Sequence, residues 1–496
     1  MATPGGSFLA NKYLIRFCVF VFLSTLCFLE KGFALSLTER SADTSKSHLL
    51  HDHTHHTAVQ LNSLLPAKTC SPSSTRGYDH KKASLEVVHK HGPCSKHNQH
   101  ETKIPTHTQI LQQDQARVNS IHARLNGDKL RQLDTSIPAK SGSVVGSGNY
   151  IVTLGLGSPP KQLSLIFDTG SDLTWTQCQP CVKSCYKQNE QIFDPSLSKS
   201  YANISCNSPV CSQLTSATGN TPGCSTGTAT CIYGIQYGDN SFSVGYFGKE
   251  RLTLTSTDLF DGFLFGCGQN NQGLFGASAG LLGLGRNKIS FVEQSAQKYG
   301  RFFSYCLPST PSSTGYLSFG RGGKGPSNAI KFTPLSTVSQ GGSFYGLNVV
   351  GIIVGGRQLS ISSSIFSSSG TIIDSGTVIT RLPATAYNAL RDAFRQGMKG
   401  YPQAEAVSIL DTCFDVSGSN VVSFPKIAFT FGGGMTLDLD AKGILYAVST
   451  SKVCLAFAGN SDDNDIAIFG NVQQKRLQVV YDVAGGKIGF GPAGCP

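Results

Sequence analysis

Leu165-Ile166-Phe167-Asp168-Thr169-Gly170-Ser171 recurs 206 positions later as Thr371-Ile372-Ile373-Asp374-Ser375-Gly376-Thr377. Each copy reads as an apolar strand running into Asp-(Thr/Ser)-Gly-(Ser/Thr). Each is followed, further along, by an apolar pair and a glycine: Leu281-Leu282-Gly283 and Ile468-Phe469-Gly470. Two unrelated Asx turns at strand ends would account for the tetrapeptides, but not for the second matching pair. A duplicated half-molecule accounts for both. A strand entering a glycine turn lifts a carboxylate from a rigid base, and glycine lets the other copy's backbone approach. Two such loops meeting across a pseudo-twofold axis set Asp168 beside Asp374. Carboxylates about 3 Å apart resist joint ionisation and share one proton. The ionised member then activates water as a base while the protonated member polarises and protonates a scissile amide. The hydroxyls of Ser171 and Thr377 are placed to bond the outer carboxylate oxygens.

Composition agrees with a β protein. Charged residues make up 14% of the 496, against roughly 25% in an average globular chain. Gly numbers 55, with 3 Met and 1 Trp, which disfavours a helical bundle and favours short strands joined by Gly-rich turns. Tyr150–Leu154, Leu163–Phe167 and Gln478–Tyr481 read as strands, the last forming a hairpin with Lys487–Phe490 through Ala484-Gly485-Gly486. Ser290 begins a short helix with a capping box to Glu293, and Pro383 opens another with Tyr387, Leu390 and Phe394 on one face.

All 12 His lie between His48 and His122. The β-rich remainder therefore has no Ser–His–Asp triad, Cys–His pair or His-ligated zinc. The start carries Lys12 and Arg16 before an apolar run from Phe17 to Leu29 and small residues at Gly32-Phe33-Ala34, which reads as a secretory signal over 1–34. Residues 35–143 read as a propeptide, with the patch His51-Asp52-His53-Thr54-His55-His56 and an amphipathic helix near Ile110 to Leu133. It ends in the small-residue linker Ala139-Lys140-Ser141-Gly142-Ser143. From Val145 onward there are 24 Lys+Arg and 20 Asp+Glu, net +4, which leaves +7 of the overall +11 ahead of it. This basic leader and its His predict a pH-released lid: its Lys residues sit against the ionised carboxylates, and His protonation between about pH 7 and 5 weakens the packing.

Of 16 Cys, Cys18 and Cys27 leave with the signal and Cys70 and Cys94 fall in the propeptide. The remaining Cys178, Cys181, Cys185, Cys206, Cys211, Cys224, Cys231, Cys267, Cys306, Cys413, Cys454 and Cys495 are even in number behind a signal, which implies disulfides. Cys178-x-x-Cys181 as a zinc or redox motif is disfavoured by export and by the missing His. Asp438-x-Asp440 has Lys where a calcium loop needs an oxygen ligand, and no phosphate loop occurs. No cofactor or metal is implied. Asn203-Ile204-Ser205 is a glycosylation sequon.

Over residues 145–496 the chain resembles the pepsin-like aspartic proteases, above all the plant nepenthesin-like subgroup. The shared-proton argument above is the standard account of that family's dyad. The resemblance rests on Phe167 through Trp175, on Asp374 through Thr377, on the Cys-rich insertion after Trp175 and on Tyr237-Gly238-Asp239. It implies an all-β, bilobal double barrel with a few short helices, with lobes at 144–332 and 333–496. The site it implies comprises catalytic Asp168 and Asp374, with supporting Thr169, Gly170, Ser171, Ser375, Gly376 and Thr377. It also implies a flap Tyr237 partnered by Trp175, and cross-lobe bonds from Thr169 and Ser375. The disulfides implied are Cys178–Cys181, Cys185–Cys267, Cys206–Cys231, Cys211–Cys224, Cys306–Cys495 and Cys413–Cys454.

The expected function is a secreted aspartic endopeptidase made as a zymogen, monomeric, acting on polypeptides and binding pepstatin-type inhibitors and its own propeptide. Some plant xylanase inhibitors share the fold without the catalytic residues, and here both Asp are intact. A plastid DNA-binding relative offers a third reading, but net +4 and no basic cluster beyond Lys475-Arg476 give nucleic acid little footing. No later stretch approaches the ~20 apolar residues of a membrane span. The apoplast is the expected destination, with vacuole or plastid as alternatives.

Overall fold

Alternation of apolar and polar residues along short segments makes strands, and strands dominate the computed structural model. It describes residues 55–72, 83–96, 105–125, 150–237, 241–273, 275–321, 329–338, 341–492 and 494–495. The signal over 1–34, the linker 139–143, Leu133, His51, His53 and the loop residues Gly238 and Asp239 lie outside them.

The repeat is a repeat of topology as well as sequence. Strand Lys161–Asp168 runs parallel to Gly280–Gly283, with Asp168 opposite Gly283. Strand Thr371–Ile373 runs parallel to Ala467–Phe469 in the same way. In the first half Trp175–Gln177 pairs antiparallel with Gly280–Leu281 and parallel with Gly266–Gly268. In the second half Arg381 pairs antiparallel with Ile468, and Thr380–Leu382 runs parallel to Phe457–Gly459. Each Asp therefore leaves a strand flanked on both sides by backbone ladders, which fixes its direction.

A sheet beneath both halves joins them. Phe302–Cys306 pairs with Gln478–Asp482, which continues through the expected hairpin to Lys487–Gly491. On the other side Thr314–Phe319 pairs with Ser84–His89, which in turn meets Tyr150–Leu156 through Val88 and His89. A strand of the leading segment thus fills a slot inside this sheet, and its Val87 is fully buried. A second leading strand, His56–Gln60, pairs antiparallel with Val421–Pro425 as a two-stranded sheet. The buried apolar face of Ser84–His89 makes the leader part of the core, which its polar, His-rich composition did not suggest.

The expected helices form. Ser290 Oγ accepts from the Glu293 N–H at 3.3 Å at the start of Phe291–Gln294. Helix Ala384–Gly397 follows Pro383 and buries Tyr387, Leu390 and Phe394. The leading helix spans His107–Leu125 and buries Leu111, Val118, Ile121 and Leu125.

Four of the implied disulfides are corrected. The structure joins Cys178–Cys267, Cys181–Cys185, Cys206–Cys224 and Cys211–Cys231, with Cα separations of 5.3, 6.1, 5.5 and 5.9 Å. Cys178–Cys181, Cys185–Cys267, Cys206–Cys231 and Cys211–Cys224 do not form. Thr176 lies opposite Cys267 in a parallel ladder, so Cys178, just beyond that strand, meets Cys267 first. Cys181 and Cys185 are left to close a short loop. Cys231 is fully buried and faces buried Cys211 beneath helix Pro209–Ser212, whereas exposed Cys224 meets half-buried Cys206 at the rim. Cys306–Cys495 and Cys413–Cys454 pair as implied, and Cys70–Cys94 closes a loop in the leader. Peptide mapping without reduction is expected to recover a Cys178–Cys267 cross-linked fragment. Recovery of Cys178 joined to Cys181 would overturn this pairing.

Candidate active site

The two glycine turns meet face to face. The Thr169 N–H donates to Ser375 Oγ at 3.1 Å, and the Ser375 N–H donates to Thr169 Oγ1 at 2.9 Å. These reciprocal bonds lock the loops across the pseudo-twofold axis. Within each loop the glycine N–H donates to its own Asp: Gly170 to Asp168 Oδ1 and Gly376 to Asp374 Oδ1, both at 3.0 Å. Glycine is required at both turns, because a Cβ at Gly170 would lie 2.7 Å from Asp374 Oδ1 and one at Gly376 would lie 2.6 Å from Asp168 Oδ1. Both carboxylates are buried.

The outer oxygens differ between the halves. Thr377 Oγ1 donates to Asp374 Oδ2 at 2.6 Å, as its position suggested. Ser171 sits beside Asp168, where its hydroxyl helps to hold the carboxyl low without making the short, well-aligned bond that Thr377 makes. Asp168 Oδ1 also meets a cation.

That cation is Arg117, from the leading helix. Its Nη2 donates to Asp168 Oδ1 at 2.7 Å and to Asp374 Oδ1 at 3.1 Å, while Nε donates to Asp374 Oδ2 at 2.9 Å. The expectation of Lys residues against the carboxylates is therefore corrected. The planar guanidinium presents Nε and Nη2 in a fixed fork, so it meets both oxygens of Asp374 and the inner oxygen of Asp168 at once. Burial pushes Asp168 upward, but Arg117, the Ser171 hydroxyl and the Gly170 N–H outweigh it and hold it below the ordinary carboxylate range. At Asp374 burial, with the neighbouring Asp168 charge, prevails over Arg117 and the shift is upward. Burial alone would depress Arg117, but the two carboxylates raise it.

One turn earlier on the same helix, Asp114 is fully buried against the second half. Its Oδ1 accepts from the Val378 N–H at 2.6 Å and its Oδ2 from the Ile379 N–H at 3.0 Å. Arg381 Nη2 completes the set at 3.0 Å. Arg117, Asp114 and Arg381 were missed in the sequence. A signal was present: Asp114 stands in the apolar stripe Leu111, Val118, Ile121, Leu125, where a charge is costly without a buried partner.

Trp175 Nε1 donates to Tyr237 Oη at 2.8 Å, and Phe275 meets Trp175 edge-on with ring centroids 4.8 Å apart. Beneath the second loop, Gln474 Nε2 donates to the carbonyls of Asp374 and Phe469.

Residues 150–321 match the family model described as xylanase inhibitor N-terminal, and residues 344–492 match xylanase inhibitor C-terminal. An aspartyl protease family protein of Arabidopsis thaliana is 58% identical over 443 residues, spanning 88% of this chain and 92% of the relative. Aspartic proteinase nepenthesin-2 of Nepenthes gracilis is 36% identical over 402 residues, spanning 79% and 87%. The chain belongs to the plant pepsin-like aspartic protease family. Among solved structures, basic 7S globulin from soybean aligns with a TM-score of 0.54 at 22% identity, covering 70% of this aspartic protease and 93% of that chain. That likeness is one of fold. In this member of the family, both Asp-Gly turns are complete and face each other.

Proposed function

We propose that the chain is the zymogen of a secreted aspartic endopeptidase in which Asp168 and Asp374 hydrolyse peptide bonds by activating water, and in which residues 35–143 are a propeptide that holds the site shut. The bidentate bridge of Arg117 to both carboxylates carries this reading, because a guanidinium there occupies the position of the water and the scissile amide together. Once Arg117 leaves, two buried carboxylates locked by the Thr169–Ser375 bonds share one proton between them. The ionised carboxyl takes a proton from water, and the protonated one stabilises the developing tetrahedral oxygen and then protonates the amine leaving group. Tyr237 and Trp175 close the near side as a flap. Neither turn has lost its Asp, which speaks against a catalytically silent inhibitor.

The secretory route is supported by the signal-like start and the disulfides, and Asn203 is exposed for glycosylation. The test is to express the full chain through a secretory pathway and acidify it. At pH 7 it is expected to be inert. Near pH 4 it is expected to lose the residues ahead of about Val145 and to cleave a peptide substrate, with a pepstatin-type inhibitor blocking the cleavage. An intact chain that never cleaves peptide at any pH would sink the reading.

A further inference from the structure

Asp114 rests in a cradle that belongs wholly to the second half: two adjacent backbone N–H groups, Val378 and Ile379, and the guanidinium of Arg381. Arg381 is almost entirely buried. Its Nη1 donates to the Ile379 carbonyl at 2.8 Å, its Nη2 reaches Gln115 Oε1 at 3.4 Å, and its Nε is buried without a partner. Ladder pairing of Thr380–Leu382 with Phe457–Gly459 holds the residue in place. Both Asp114 and Gln115 sit on the leading helix, so removal of that helix takes away the carboxylate that neutralises Arg381. What remains is a fixed cation on the strand Thr380–Leu382 and two converging N–H donors just before it, a few residues past Asp374. Such a set fits a carboxylate and excludes an ammonium.

We infer that Arg381, with the Val378 and Ile379 N–H groups, is a specificity subsite that binds an Asp or Glu side chain of the peptide substrate, with Asp114 as its occupant before release. The inference rests on the peptidase reading above and assigns a substrate class to it. Asp114 and Arg117 are three residues apart on the helix, about 4.5 Å of rise at 1.5 Å per residue. An extended substrate advances roughly 3.3 Å per residue. The acidic side chain therefore belongs one or two positions from the scissile bond.

The experiment uses acid-processed full chain and paired peptides differing only as Asp/Asn or Glu/Gln at each of the two positions on either side of the cleaved bond. Cleavage is compared at pH 5, where a free side-chain carboxylate is ionised. At one position the acid is expected to raise kcat/KM by about 10-fold or more over its amide. Arg381→Gln is expected to bring that ratio to about one, Arg381→Lys to retain part of it, and Arg381→Glu to turn preference toward Lys. Because each ratio is taken within one enzyme, a general loss of activity in a variant does not mimic the effect. Should a variant fail to fold, the wild-type ratio falling toward one between pH 5 and pH 3 reads the same carboxylate. The same pairs with a reduced, non-cleavable bond give binding ratios that do not depend on catalysis. If no peptide is cleaved, the peptidase reading fails while the binding ratios still decide the subsite. Acid and amide peptides treated alike at every position, in cleavage and in binding, would overturn it.

Discussion

Asp168→Asn and Asp374→Asn chains are each expected to lose peptide hydrolysis by at least ~10³-fold in kcat/KM, with secreted yield little changed. The amide keeps the shape of the carboxyl and its bond from the glycine N–H. It neither accepts a proton from water nor donates an acidic one, so the single shared proton disappears as a device. Loss should be similar at either position, since the pair acts as one unit and titrates as one. The full-length variants should also remain unprocessed at pH 4 if processing is intramolecular, and a trace of wild-type enzyme should then cleave them. Full activity in either variant, free of contaminating proteases, would refute the two-carboxylate mechanism.

Arg117→Ala is expected to move the pH midpoint of activation upward by about one unit or more, so that the full chain acquires peptidase activity near neutral pH. Breaking a buried ion pair costs about 3–5 kcal/mol, and here one guanidinium serves two carboxylates. The direction with pH follows from the shifts. Arg117 pulls both carboxyls downward, at Asp374 against burial and the Asp168 charge, so docking is favoured above the pKa values of the released pair and loses that stability as pH falls through the lower, docked ones. Half-buried histidines act in the same sense at higher pH. His89 is depressed well below 6.5 by burial, then by His91, Lys475 and Lys90. Burial also lowers His107, which touches Tyr446. Burial lowers His122 as well, against the Ile466 carbonyl and Asp465, with Arg381 adding to the depression and Asp462 opposing it. A released His protonates from about 6.5 downward while the docked one resists, so docking weakens from that pH. The histidines that carry this effect are the half-buried ones on the core strand and the helix. Activation is followed by fragment appearance at stepped pH. Arg117→Lys should fall between wild type and Arg117→Ala, and a midpoint unmoved in Arg117→Ala would refute the plug.

The carboxylate pair was legible in the linear chain because a duplicated half repeats its strand, its turn and its partner strand, and each piece is local in sequence. A helix in the leader was legible for the same reason, since its apolar stripe has the helical period, although it was expected from Ile110 and begins at His107. Which side chain of that helix meets the carboxylates was not. Several leader cations satisfied the charge argument equally, and only the register of the docked helix put Arg117 at the centre and Asp114 one turn away on Arg381. Cysteine pairing was likewise open, because seven cysteines crowd residues 178–231 and spacing admits many connections. The parallel ladder that sets Thr176 against Cys267 and the burial of Cys231 over Cys211 chose among them. Sequence by itself determined the chemistry that sits on repeated local elements. Tertiary structure decided every partnership between segments far apart in the chain, because such contacts depend on strand register and helix docking, which no local pattern encodes.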